Sequence, residues 1–171
     1  YVSTNWCGIG VAVADSPFGP FKDAIGKPLL TNKDCPGTNH AWACIDPFVT
    51  VDDDNQAWIF WGNRKCFAAK LKENMVEIDG EVKEIVMPGA NFTEAPWVHK
   101  HNGKYYLTFA EGWPESLAYA VSDKIDGPYE YKGLFSEISG NSNTTHPGVV
   151  HFKNQDWLFT HNGALHEGTS Y

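Results

Sequence analysis

Asp46-Pro47-Phe48-Val49, Glu94-Ala95-Pro96-Trp97-Val98 and His146-Pro147-Gly148-Val149-Val150 decide the fold of this 171-residue chain. Each opens on a side chain able to carry a proton, passes a proline, and continues as an extended run. A polar turn and an aromatic-rich run follow. The three openings recur at intervals of 48 and 52 residues. Repetition near this length by short strands is the pattern of a β-propeller, whose blades set equivalent positions around one channel.

Within each unit the polar turn separates two strands. Asp52-Asp53-Asp54-Asn55-Gln56 precedes Ala57-Trp58-Ile59-Phe60-Trp61, His99-Lys100-His101-Asn102-Gly103 precedes Lys104-Tyr105-Tyr106-Leu107, and His151-Phe152-Lys153-Asn154-Gln155 precedes Asp156-Trp157-Leu158-Phe159. Asn and Gly tolerate the positive φ of tight turns, so each unit reads as strand, hairpin and strand. A second repeat is interleaved with the first: Val13-Ala14-Asp15-Ser16-Pro17-Phe18-Gly19-Pro20-Phe21 matches Val121-Ser122-Asp123-Lys124-Ile125-Asp126-Gly127-Pro128-Tyr129. Gly-Pro before an aromatic restarts an extended chain at a sheet edge, so these are outer blade strands. No stretch sustains an apolar period of about 3.6 residues, and Lys70-Leu71-Lys72-Glu73-Asn74-Met75 makes at most one helical turn, so the fold class is all-β.

Blades of about 40 to 50 residues give this length three to four of them, so residues 1–171 read as one partial propeller domain that starts inside a blade. With 42% hydrophobic and 20% charged residues the chain has the composition of a soluble globular protein. A net charge of −8 and a single arginine, Arg64, argue against nucleic acid, and no apolar run reaches membrane length. Cys7, Cys35, Cys44 and Cys66 lie in the first 66 residues. They read either as local disulfides of an extracellular, secreted protein, in any of three connectivities, or as buried free thiols. No pair has CxxC spacing, which argues against zinc. The sequons at Asn91 and Asn143 each stand just ahead of a candidate site residue, where a glycan would crowd the channel.

Asp46 and Glu94 are the chemical core of the pattern. Glycoside hydrolysis needs one protonated carboxyl to assist the leaving oxygen and one ionised carboxyl across the sugar ring. Two acids at matched blade positions point into the same channel, where each raises the pKa of the other. Glu94, flanked by Phe92, Ala95, Pro96 and Trp97, is the better general acid. His146 takes the third position and could donate to a substrate hydroxyl, orient a carboxylate or hold a channel ion through water. His161 reads more simply as a core histidine. Of seven tryptophans, Trp42, Trp61, Trp97 and Trp113 lie near these positions, and Trp42 and Trp113 are the candidate sugar-stacking contacts. The Asp-rich turn at 52–57 lacks the Gly and later Glu of a calcium loop, and no HExxH, GxSxG or phosphate-binding glycine loop occurs.

Taken together these residues resemble glycoside hydrolase family 43, five-bladed β-propellers that hydrolyse xylo- and arabino-oligosaccharides with inversion. The resemblance runs through residues 9–23, Ile45-Asp46-Pro47 with its Asp-rich turn, Thr93-Glu94-Ala95-Pro96-Trp97, and His146-Pro147-Gly148-Val149-Val150 with Phe159-Thr160-His161-Asn162-Gly163-Ala164-Leu165. It implies that Glu94 is the general acid and Asp46 the carboxylate that tunes and holds it. It implies further that an Asp ahead of Tyr1 is the general base, with Asp15 and Asp23, in the Gly-Pro element, unable to replace it, and that a substrate-contacting arginine lies beyond Tyr171. Calcium in the central channel near His146 is also implied, with no cofactor required. The implied substrate is an arabinoxylan, arabinan or xylan oligosaccharide outside the cell. A non-catalytic sugar-binding propeller is the alternative from another class. Fructan- or sucrose-active propellers rank lower, because their Arg-Asp-Pro and Glu-Cys motifs are replaced here by Ile45-Asp46-Pro47 and Glu94-Ala95.

Overall fold

A computed structural model describes residues 1–4, 8–137 and 142–163. These residues form fifteen strands and one single-turn 3₁₀ helix at Asn32–Asp34, joined by turns and loops. Two complete four-stranded antiparallel sheets follow one another along the chain. The first contains β6 (Phe48–Val51), β7 (Ala57–Trp61), β8 (Phe67–Leu71) and β9 (Ile78–Glu84), the second β10 (Phe92–His101), β11 (Lys104–Glu111), β12 (Ser116–Ser122) and β13 (Glu130–Ser136), each in sequential order. These meanders are propeller blades. Before them stand β1 (Val2–Thr4), β2 (Gly8–Gly10) and β5 (Leu30–Thr31) in one sheet, with β3 (Ala12–Val13) and β4 (Lys22–Asp23) as a separate pair. After them comes the hairpin β14 (Gly148–Phe152) and β15 (Gln155–Phe159). The described residues thus hold two whole blades and parts of two more, all-β as the repeat requires.

Alternation along β7 shows how the blades stack. Successive strand residues point to opposite faces, so Trp58 and Phe60 enter one core while Ala57, Ile59 and Trp61 enter another. The first core joins them to Val98, Leu107, Phe109, Ala118 and Ala120 of the following blade. The second joins them to Ile9 and Leu30 of the preceding strands and to Cys35 and Cys44 of the loop that follows. A blade buried on both faces explains why all five residues of β7 are buried. The outer strands β9 and β13 are largely exposed.

The turns follow their sequence. Asn102 and Gly103 take φ values of 48° and 76°, and Lys153 and Asn154 take 51° and 61°, the double positive φ of a two-residue hairpin. The strands therefore run closer to the turns than the polar stretches suggested, with β10 reaching His101 and β14 reaching Phe152. Residues 70–75 form the end of β8 and a turn; there is no helical turn. The two Gly-Pro elements match in backbone: Gly19 and Gly127 have φ of 79° and 76°, and both Gly-Pro bonds are cis. A Cβ on Gly127 would stand 3.0 Å from the Tyr129 ring, so the φ and the packed aromatic select glycine together. Cys35, Cys44 and Cys66 are buried free thiols, which settles the cysteine alternative for these three against disulfides; Cys7 lies outside the described residues.

Candidate active site

Strands β6, β10 and β14 lie side by side, β10 packing against both others, and side chains near their starts meet. Asp46 is the residue before Pro47, where the right-handed helical region is disfavoured, and it takes φ 55°. Its N–H donates to Ser3 Oγ at 3.1 Å, and its Oδ2 accepts the Ala95 N–H at 3.2 Å. In the next blade the left-handed residue before the proline is Ala95, also at φ 55°. Aligned on proline, Glu94 is therefore one residue out of step with Asp46. Register shifts on both sides of Glu94 against β11 absorb that step, as a bulge does.

The bulge aims the Glu94 carboxylate at the start of β14. Glu94 Oε1 lies 3.0 Å from His146 Nε2, which in turn stands 3.8 Å from Asp46 Oδ2. Glu94 Oε2 accepts a hydrogen bond from Asn63 Nδ2 at 2.7 Å. Asn63 is aimed by Gly62, whose φ of 134° suits glycine and whose Cβ, were there one, would lie 2.0 Å from the Lys65 carbonyl oxygen. Glu115, 1% exposed, follows β11 and accepts the Thr145 N–H on Oε2 at 2.8 Å. The three residues singled out by the repeat converge, and Asn63 and Glu115 join them.

The electrostatics divide the acids. Burial pushes Asp46 up to about 6, with the Glu94 charge adding to it and His146 opposing. Burial would also raise Glu94, but the hydrogen bond and charge of His146, with Asn63, hold it below the ordinary glutamate range. Burial works against a charged His146; its bond to Glu94 and the charges of Asp46, Glu94 and Glu115 outweigh it and raise its pKa. Glu115 is pushed up to about 7, first by burial and then by the charges of Glu94 and Asp46, against the Thr145 N–H. Mutual elevation of Asp46 and Glu94 is thus replaced by a split, because His146 bonds to only one of them.

One atom each of Asp46, Glu94 and His146 lies within 4.8 Å of the others. Calcium takes about six to eight oxygen ligands, whereas this set offers two carboxylates and an imidazole nitrogen already engaged with Glu94. Calcium bound directly by this set does not fit its donors.

The tryptophans separate by exposure. Trp61 and Trp58 are core, and Trp97 is wedged between blades, its ring 4.3 Å from Phe48 and its Nε1–H donating to the Val149 carbonyl at 2.9 Å. Trp42 and Trp113 are exposed at 44% and 68%, the latter two residues from Glu115. His161 sits beside His146, ring centroids 5.6 Å apart, with Nε2 3.3 Å from Thr144 Oγ1. Ala164 and Leu165 lie outside the described residues. Sequence reading missed Asn63 and Glu115. The signal was topological: the residues after the second strand of a hairpin return to the end where the first strand began.

Comparison with known proteins places this arrangement. A profile of "Glycosyl hydrolases family 43" matches residues 1–171. The chain is 31% identical over 188 residues to an arabinoxylan arabinofuranohydrolase of Paenibacillus polymyxa, covering 94% of this chain and 29% of that relative. It is 29% identical to a beta-xylosidase of Xylanibacter ruminicola, covering 100% of this chain and 63% of that protein. Among solved structures, an alpha-L-arabinofuranosidase from Clostridium thermocellum superposes with a TM-score of 0.83 at 33% identity, over 95% of this chain and 56% of that one. The chain spans less than two thirds of the length of the curated relatives it matches.

Proposed function

The chain belongs to glycosyl hydrolases family 43, and from that premise we propose that the whole protein is an inverting glycosidase releasing arabinofuranose or xylose from plant cell-wall oligosaccharides. The observation that carries this reading is the convergence of Glu94 and Asp46 on His146. The names of its relatives, arabinofuranohydrolase and xylosidase, support the sugar class.

In this reading Glu94 protonates the leaving glycosidic oxygen as the bond to the anomeric carbon breaks. Asp46 holds the Ala95 N–H, and with it the bulge that aims Glu94, and its negative charge favours the proton on Glu94. His146 orients Glu94 and faces substrate hydroxyls. Trp42 and Trp113 offer exposed rings to sugar faces. Water attack from the opposite side needs a further carboxylate, which we assign to a part of the protein outside residues 1–171. Asp15 is exposed at the edge element and Asp23 is committed to the Ile25 and Gly26 N–H groups, so neither supplies it. A calcium ion would be held at His146 only through water. Location outside the cell rests on the size of polymeric substrates, since Cys35, Cys44 and Cys66 form no disulfides.

Glu94→Gln in the full-length protein tests the reading on aryl arabinofuranosides and aryl xylosides. Turnover is expected to fall by about 10² to 10⁴, with the smallest loss on the best leaving group. Unchanged turnover refutes the assignment, and binding of oligosaccharide by a wild-type protein that turns nothing over would mark a sugar-binding propeller instead.

A further inference from the structure

Glu115 has no place in the two-carboxylate scheme, yet it is among the largest fully buried side chains of the protein. One oxygen accepts the Thr145 N–H, and its own N–H donates to the Asn143 carbonyl at 3.0 Å. The other oxygen, Oε1, is buried and has no hydrogen-bond partner among the described residues. No cation pairs with it there either. A buried carboxylate oxygen without a donor is costly, and the same oxygen carrying a proton is not, provided an acceptor is near. The charges facing Glu115 are Glu94 from β10, Asp46 from the turn before β6, and His146 from the turn before β14, with His161 behind it.

We propose that Glu115 is a positioning residue that keeps a proton in the site for Glu94, the two carboxyls sharing one proton between them. The proposal rests on the hydrolytic reading above. Glu94 alone is poorly placed to be an acid near neutral pH, because His146 and Asn63 both favour its carboxylate. Glu115 acts on Glu94 as a hydrogen-bonding neighbour that favours the Glu94 carboxylate, a bond that two carboxyls make only when one of them carries the proton. When a leaving oxygen arrives, the O–H bond on Glu115 breaks as one forms on Glu94. Glu94 passes its proton to the leaving oxygen, and Glu115 recovers a proton from solvent water after product departs. Such a pair titrates as a unit, one proton held well above the range of an isolated glutamate.

Glu115→Gln in the full-length protein keeps the acceptor for Thr145 and removes the proton. The alkaline limb of the kcat/KM profile is expected to move down by about one pH unit. At neutral pH this is about a tenfold loss on alkyl glycosides, whose leaving oxygen needs the proton, and little loss on nitrophenyl glycosides. Glu115→Asp should restore part of the limb. A rate loss with an unmoved limb, or no loss at all, overturns the proposal. A second measurement does not depend on activity: the infrared carbonyl band of a buried protonated carboxyl, recorded between the values of about 6 for Asp46 and about 7 for Glu115. The band should persist in Glu94→Gln and vanish in Glu115→Gln. Its absence from both wild type and Glu94→Gln overturns the proposal even if Glu115→Gln does not fold. An inactive wild type that still shows the Glu115 band would sink the hydrolytic reading alone.

Discussion

The turn at Asp46-Pro47 and the turn at Ala95-Pro96 have the same backbone and opposite chemistry. Each places a residue at φ 55° before a proline, just ahead of β6 in the first blade and within β10 in the second. In the first blade the acid is that left-handed residue; in the second it is the residue before, set in a bulged strand. A one-residue step reverses the side of a strand on which a side chain lies. The bulge turns that reversal into a meeting, so that Asp46 grips the backbone of Ala95 while Glu94 turns to His146 and Asn63. Repetition supplies the position, and departure from it supplies the difference between two carboxyls.

Breaking each acid in turn tests that difference most strongly. Against the loss of about 10² to 10⁴ expected for Glu94→Gln, Asp46→Asn in the full-length protein should lose only about tenfold, roughly 1.4 kcal/mol. Asn tolerates the positive φ and still offers an oxygen to the Ala95 N–H, so only the charge is lost. That charge favours the proton on Glu94, so the alkaline limb should move to lower pH as well. Equal losses for the two variants on aryl glycosides would mean that the acids act alike and that the bulge makes no distinction.

A separate effect should appear in stability. Glu115 and Asp46 hold protons up to about 7 and about 6 when folded, against 4.5 and 3.8 ordinarily. Their contribution is complete below the ordinary values and is lost as pH rises through 6 and 7. His146, also raised, adds in the same direction, its share fading above 6.5. Glu94 opposes them, its contribution being present above 4.5 and lost as pH falls through its lowered value. The Tm should therefore be highest in mild acid and decline towards neutrality. For Glu115, 1% exposed, the full span is on the order of 3 kcal/mol. Thermal unfolding of Glu115→Gln across this window should give a visibly flatter curve, and an unaltered slope would show that Glu115 carries no extra proton.

Much of this site is legible in the sequence. Proline after an acid or histidine, recurring at blade spacing, located Asp46, Glu94 and His146, and Asn-Gly with its variants located the hairpins. The extra residue between Glu94 and Pro96 is visible in the sequence, but the bulge that absorbs it is not, because a bulge depends on the register of β10 against β11. Nor does periodicity give the sign of the Glu94 shift, which is set by a side chain 52 residues away. Asn63 and Glu115 were hidden for a related reason: each lies after the second strand of its hairpin, and only the antiparallel return brings it to the channel end. The cysteines misled where their clustering suggested staples, since Cys35 and Cys44 pack in the core between the first strands and β7.

Ala95 gives the finest test of the comparison. It pays for its left-handed φ without the polar side chain that eases Asp46 into the same conformation. Ala95→Gly removes that strain, worth about 1 kcal/mol, but loosens the unfolded chain and deletes a buried methyl, each costing somewhat under 1 kcal/mol. The opposing effects leave a change in stability within about 1 kcal/mol, measured by denaturant unfolding. Turnover should fall more than stability, because the Ala95 N–H is the group Asp46 holds and a freer backbone aims Glu94 less tightly. A variant equally stable and equally active would show that Asp46 fixes the bulge without help from the residue it grips.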